Sequence, residues 1–204
     1  VHYAALGSYQ PTRAERLRDL RKAVLYRLML RNKALRSVLS LDPYFPGYAM
    51  SHYGHGEKVQ ALADPAHEAS DVAADVDRFA GYAPQGRIGF LLFGYLARRK
   101  GPLELLDALR HLQPRTAARV AVMLAGRIDP EIRTELDQRC QILSYAQPAL
   151  WLRVADRRLD SAEIDSLIEK SGVVLAPYQR FVGSSGVLLW AARAGRPVLT
   201  QDFG

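Results

Sequence analysis

From Arg87 onward, apolar runs and amphipathic stretches take turns along the chain. Ile88–Phe93 is an unbroken run of apolar residues and one glycine, the pattern of a strand buried on both faces. The spacing after it predicts a helix over Pro102–Leu112. A second strand, Val120–Leu124, leads to Gly126, and a helix starts near Pro130, where proline suits the first turn. A third strand lies within Leu150–Ala155. A helix over Ala162–Lys170 follows from a Ser161 cap, then strand Val173–Ala176, helix Val187–Ala194 and strand Pro197–Thr200. Such alternation predicts a parallel sheet with helices on both faces. Ligands of these sheets bind outside the carboxyl ends of the strands, so the glycine-bearing loops are expected to share that edge.

The pattern before Arg87 is different. Leu17, Leu20, Val24, Leu28, Leu35 and Leu39 recur at three- and four-residue spacing for much of Thr12–Leu39, which predicts one long helix with a packed apolar face. Thr12 and Glu15 have the form of a capping box at its start. Residues Asp42 to Pro84 hold Asp42-Pro, Phe45-Pro-Gly, Tyr53-Gly-His-Gly and Asp64-Pro in close succession. These turn signals predict irregular structure, an interdomain connection. Residues 1–86 are thus expected to form the tail of a first domain with its linker, and residues 87–204 a second domain.

Charge sharpens this division. Thr12–Arg36 contains nine basic residues and two acidic ones, an excess of seven that equals the net charge of +7 for all 204 residues. The basic character belongs to one segment. Two readings stay open for it: a packed helix with a solvated basic face, or a surface that meets anionic lipid or acidic carrier groups. Aromatic residues are not interleaved with the basic ones in the manner of a strand-binding groove, which argues against nucleic acid as the partner. Apolar residues make up 49% and charged residues 24%, as in an ordinary globular protein. Cys140 is the only cysteine, so no disulfide framework or cysteine-rich metal site exists. A reducing, cytoplasmic setting is expected, with the basic helix as the element that would touch the inner membrane face. Both ends read as cut.

The candidate chemistry lies in the loops. Gly94 ends the first strand of the second domain, and Arg98, Arg99 and Lys100 stand before the next helix. A strand that stops at glycine admits a close ligand, and a helix start offers unpaired N–H groups to an anion. Phosphate or diphosphate is the expected ligand, with Lys100 the principal contact. Gly183-Ser184-Ser185-Gly186 precedes the late helix and is a second anion candidate, against the plainer reading of a helix cap. His52-Tyr-Gly-His55 and His67 lack the spacing of a metal site, and the carboxylates and arginines of Asp156–Asp160 read as a surface ion-pair cluster. Gly86, Gly89 and Gly94 do not make a dinucleotide fingerprint, and no serine-nucleophile elbow is present.

Four stretches together are similar to the C-terminal, donor-binding domain of glycosyltransferase family 4, the retaining GT-B enzymes. They are Phe93-Gly-Tyr-Leu96 with Arg99-Lys-Gly101, Leu124-Ala-Gly126, Ser171-Gly-Val-Val-Leu-Ala-Pro-Tyr178, and Gly186-Val-Leu-Leu189 with Ala194-Gly-Arg-Pro-Val-Leu-Thr200. The resemblance covers Arg87–Gly204. It implies a Rossmann-like sheet and a UDP- or GDP-sugar donor whose hexose passes to an unknown acceptor, without metal or other cofactor. It further implies donor-diphosphate contacts from Gly94, Lys100, Ser184, Ser185 and Gly186, with Arg98 or Arg99 replacing the arginine that the family often has where Tyr95 stands. Two glutamates that the family places eight positions apart, for the sugar and the ribose, fall on Val182 and Trp190, and neither side chain can accept a hydrogen bond. No catalytic residue is identified, and this stretch is expected to be inactive alone. A non-catalytic GT-B-like binding module and a nucleotide-sugar epimerase are the alternatives.

Overall fold

The computed structural model describes residues 13–63, 82–179 and 185–201, which fall into two compact units. In the first, helix α1 (Arg13–Arg31) is followed by strand β1 (Val38–Ser40), helix α2 (Phe45–His52), a short 3-10 turn at Gly56–Lys58 and strand β2 (Val59–Ala61). The two strands pair in parallel, Val38 opposite Val59 through Ser40 opposite Ala61. A parallel pair needs a crossover, and α2 supplies it. The stretch expected to be irregular therefore contains a small βαβ unit, and the expected long helix stops at Arg31, with Leu39 in a strand. Strands of three residues are too short to show a period among turn residues.

The core of this unit also differs from the periodic pattern. Leu30, Phe45, Ala49, Tyr53 and Val59 are buried together, with Ala23 and Tyr26 packed against them. Tyr26 meets the Phe45 ring edge-on and stacks over Tyr53. The stripe expected to pack is instead exposed: Leu17, Leu20, Val24 and Leu28 keep 62%, 60%, 45% and 59% of their surface. Lys58 Nζ donates to the carbonyls of Leu30 and Asn32, at 2.7 and 2.9 Å, and so closes the end of α1. The Thr12 half of the expected capping box lies outside the described residues.

The second unit is the expected α/β layer structure. Its strands are β3 (Ile88–Phe93), β4 (Val120–Ala125), β5 (Trp151–Ala155), β6 (Val173–Ala176) and β7 (Val198–Thr200). They form one parallel sheet in the order β5-β4-β3-β6-β7. The chain builds outward from β3 to β5, then returns to the other side of β3 for β6 and β7. The reversal places the topological switch point between β3 and β6.

Helices α3 (Pro102–Leu109), α4 (Pro114–Ala117), α5 (Pro130–Ala146), α6 (Ser161–Lys170) and α7 (Gly186–Arg193) complete the layers. On one face, Leu92, Val122 and Leu124 pack with Leu103 and Leu106 of α3 and Ile132, Leu136 and Leu143 of α5. On the other, Leu91, Phe93 and Met123 pack with Leu167 and Ile168 of α6 and Val187 and Ala191 of α7. Alternate residues of β3 thus serve opposite cores, as a strand's two-residue period requires.

Helix α6 starts one residue earlier than expected. Its cap is Asp160, which accepts from the Glu163 amide at 2.8 Å, while the Glu163 carboxylate accepts from the Asp160 amide at 3.1 Å. This reciprocal pair satisfies two N–H groups that a serine cap at 161 would leave open. Glu163 is buried and also takes both Nη groups of Arg157. Asp156 accepts from the Ile128 amide at 2.7 Å and pairs with Arg133. The Asp156–Asp160 cluster is a set of structural ion pairs.

Candidate functional site

The carboxyl edge of the sheet is built from backbone first. Gly94 has φ +96° and Gly126 has φ +135°, values that side-chain-bearing residues rarely adopt. A Cβ on Gly126 would stand 2.0 Å from the Gly94 carbonyl oxygen. The loops after β3 and β4 touch because Gly126 has no side chain. Their contact continues past the strands: the Leu96 amide donates to Arg127 and the Asp129 amide to Leu96, at 2.9 and 3.0 Å.

The loops after β3 and β6 meet in the same way. Arg98–Lys100 forms a single 3-10 turn that ends at Gly101, φ +70°. A Cβ on Gly101 would lie 2.0 Å from the Pro177 carbonyl oxygen. The Gln179 amide donates to the Arg99 carbonyl at 2.7 Å. Gly94, Gly126 and Pro177 thus share the carboxyl edge, and the β3–β6 contact sits at the switch point.

Lys100 is folded back into this contact. It keeps 8% of its surface, and its ammonium donates to the Phe93 carbonyl at 2.9 Å. Nζ also stands 5.9 Å from the centre of the Tyr178 ring. A Cβ on Gly94 would approach Nζ to 2.6 Å, so glycine at this position is what lets the ammonium fold against the β3 loop. Burial, and secondarily the Arg99 guanidinium, pulls the Lys100 pKa down to about 8. A charge held at that cost gains from an anion, which restores what desolvation removed.

The remaining candidates separate. Arg98 pairs with Glu135 on α5. Glu135 also binds Arg139, which reaches Asp107 on α3. Arg98 thereby joins a surface network that ties two helices. Arg99 is exposed beside Lys100 and Tyr178 and acts on both electrostatically. Ser185 precedes α7, but its hydroxyl is 2.7 Å from the Tyr178 hydroxyl and does not cap the helix. Gly186 is the first residue of α7 and is exposed. Ser184, Gly183 and Val182 lie outside the described residues.

Two residues without an expected role belong to this edge. Tyr178 links Lys100 to Ser185, and Gln179 fixes the β6 loop through its amide to Arg99 and its side chain to Pro177. Their signal in the sequence was position alone, directly after an apolar run ending in Ala176-Pro177. Trp190, where the resemblance implies a glutamate, packs against the core formed by Phe93, Val187 and Ala191, with the Arg193 guanidinium 4.4 Å over its ring.

His52 and His55 each have a local partner. His52 lies flat on Tyr48 with ring centres 3.9 Å apart, and its Nδ1 is 3.0 Å from the Tyr48 carbonyl. His55 pairs with Glu57. Among the described residues no three potential metal ligands come together, and no helix is long and apolar enough to cross a membrane. His67 lies outside the described residues.

No protein-family profile and no curated protein matches the chain. Solved structures do. HepE from Anabaena, in a complex with UDP and glucose, aligns with 83% of this chain and 45% of its own, at 18% identity and a TM-score of 0.61. A UDP-forming trehalose-phosphate synthase from Burkholderia xenovorans aligns with 72% of this chain and 38% of its own, at 18% identity and TM-score 0.55. For WaaG, a glycosyltransferase of lipopolysaccharide biosynthesis, the shares are 76% and 41%, at 19% identity and TM-score 0.54. The fold is that of the GT-B glycosyltransferases. The chain spans less than half the length of each of these three proteins.

Proposed function

We propose that this chain is the donor side of a nucleotide-sugar glycosyltransferase of the retaining, family 4 type, and that its carboxyl edge binds the diphosphate of a UDP- or GDP-sugar. The observation that carries this reading is Lys100, a nearly buried cation at the switch point whose ammonium rests against Gly94. The chemical demand in such a transfer is stabilisation of the departing nucleoside diphosphate. A preorganised ammonium in a dry setting meets it without a metal. The Ser185 hydroxyl and the amides that open α7 are a second set of donors on the same loop system, with Tyr178 holding Ser185 toward Lys100. Arg99 adds positive potential at the rim. Arg98 is left out of the diphosphate site, since its guanidinium serves Glu135.

A non-catalytic binding module is the second reading, and Trp190 favours it. An indole half-buried against the core has no acceptor for ribose hydroxyls. Under either reading the diphosphate is the ligand, and the acceptor belongs to the whole protein.

Calorimetric titration of the chain with UDP and with GDP, at pH 7, tests the proposal. One of the two is expected to bind at a single site. Lys100→Ala should weaken that binding by about 1.5–3 kcal/mol, the size of a charge-assisted hydrogen bond. Equal affinity in the variant would remove Lys100 from the site, and no binding of either nucleotide by the intact chain would overturn the donor assignment.

A further inference from the structure

The loops that meet at the switch point are residues 94–101 after β3 and 177–185 after β6. Neither contains an aspartate, glutamate or asparagine, and neither does α7. Every charged side chain in these three segments is cationic. The backbone carbonyls around Lys100 are also taken. That of Phe93 accepts from the Lys100 ammonium, and those of Ala97 and Arg98 accept from the Lys100 and Gly101 amides. The Arg99 carbonyl takes the Gln179 amide, and the Pro177 carbonyl takes the Gln179 side chain. Across the switch point, the Ala176 carbonyl serves both the Tyr178 amide and the Thr200 hydroxyl.

The other acceptors near this edge are engaged in the same way. The Tyr178 and Ser185 hydroxyls are 2.7 Å apart and bind each other. Beyond Gly126, Asp129 accepts from the Glu131 amide and the Tyr95 hydroxyl. After β5, Asp156 takes the Ile128 amide and Arg133. On α7, the Trp190 indole has one N–H and no acceptor. It packs between the core and Arg193, which also pairs with Asp165 on α6.

What this edge offers a ligand is therefore donors. An ammonium carries three N–H groups, and Phe93 takes one of them. A phosphate oxygen accepts several such bonds at once. A ribose hydroxyl would have to donate, and among these groups it finds no open acceptor, so it stays in water. We propose that the edge recognises the phosphates of its ligand and not the ribose hydroxyls, so that ribonucleoside and deoxyribonucleoside diphosphates are bound alike. The proposal rests on the diphosphate reading above and narrows it to a class of ligand.

Calorimetric titration of the chain with UDP, GDP and their dideoxy counterparts, which lack both ribose hydroxyls, tests the proposal. For the base that binds, the two forms are expected to agree in affinity within about twofold, the least that one neutral hydrogen bond to the ribose would contribute. Lys100→Ala should weaken both forms by the same factor. A larger preference for the hydroxylated form overturns the proposal, while binding that still depends on Lys100 keeps the diphosphate reading. If Ser185→Ala removed that preference, the ribose contact would belong to Ser185. Failure of all four nucleotides to bind would overturn the diphosphate reading itself, and this proposal with it.

Discussion

Lys100 and helix α1 both concentrate positive charge, by opposite physical means. Lys100 is one ammonium nearly removed from water, with a lowered pKa and a single hydrogen bond to Phe93 among the described residues. On α1 the arginines are solvated and numerous, and leucines lie between them. A buried charge selects by geometry, since a ligand must reach one atom at one place on the sheet edge. A solvated array selects by area, and any sufficiently broad anionic surface will do. The first should respond to proton concentration and the second to ionic strength.

The most forceful way to break this contrast is to remove the geometry. Gly126→Ala places a Cβ on the Gly94 carbonyl at a backbone angle foreign to alanine. We expect a loss of about 3 kcal/mol or more in chemical denaturation, together with loss of nucleotide binding. A variant of wild-type stability would mean that the β3 and β4 loops are not locked.

A change of pH sharpens the contrast next. An anion binds the protonated form of Lys100, whose pKa in the free protein is about 8. Nucleotide affinity should hold steady below pH 8 and fall above it, approaching tenfold per pH unit for one linked proton. Lys100→Ala should abolish that slope. The sign for stability is opposite, because the unfolded chain holds this proton more tightly. Burial of charged Lys100 destabilises the fold below pH 8, and this contribution is relieved between about 8 and the ordinary lysine value of 10.5.

Tyr178→Phe is the mildest test. It removes the hydroxyl facing Ser185 and keeps the ring beside Lys100. A change in nucleotide affinity of about 0.5–1.5 kcal/mol in either direction is expected, the range of one neutral hydrogen bond. No change would separate Ser185 from the ligand.

How far the sequence could be read depended on the length of the local signal. The strands from β3 to β6 announce themselves as apolar runs, and the glycines at their ends mark the carboxyl edge. Lys100 was legible because it stands between such a glycine and a helix start. The partners of Arg98 and Ser185 were not, since Glu135 lies 37 positions away and the Tyr178 hydroxyl depends on how the β6 loop turns. In α1 the period was real, yet its packed face was assigned to the wrong residues. Periodicity shows that a helix has an apolar side, and only tertiary structure shows whether anything covers it. The Asp160–Glu163 capping box had a plain signature, Asp-x-x-Glu, that a serine at 161 obscured.

The glycine contacts at the carboxyl edge set out where this protein can be redesigned. Positions 94, 101 and 126 are closed to substitution by backbone and buried ammonium alike. Between them, Tyr95 and Arg98 are exposed and lie on a loop that is pinned at both ends. A library that randomises those two positions would vary the chemistry of this loop and leave the glycine contacts of its frame in place. Arg98 comes with a known exchange, since releasing it from Glu135 frees the loop from α5 and leaves Arg139 alone to hold α5 to Asp107 of α3.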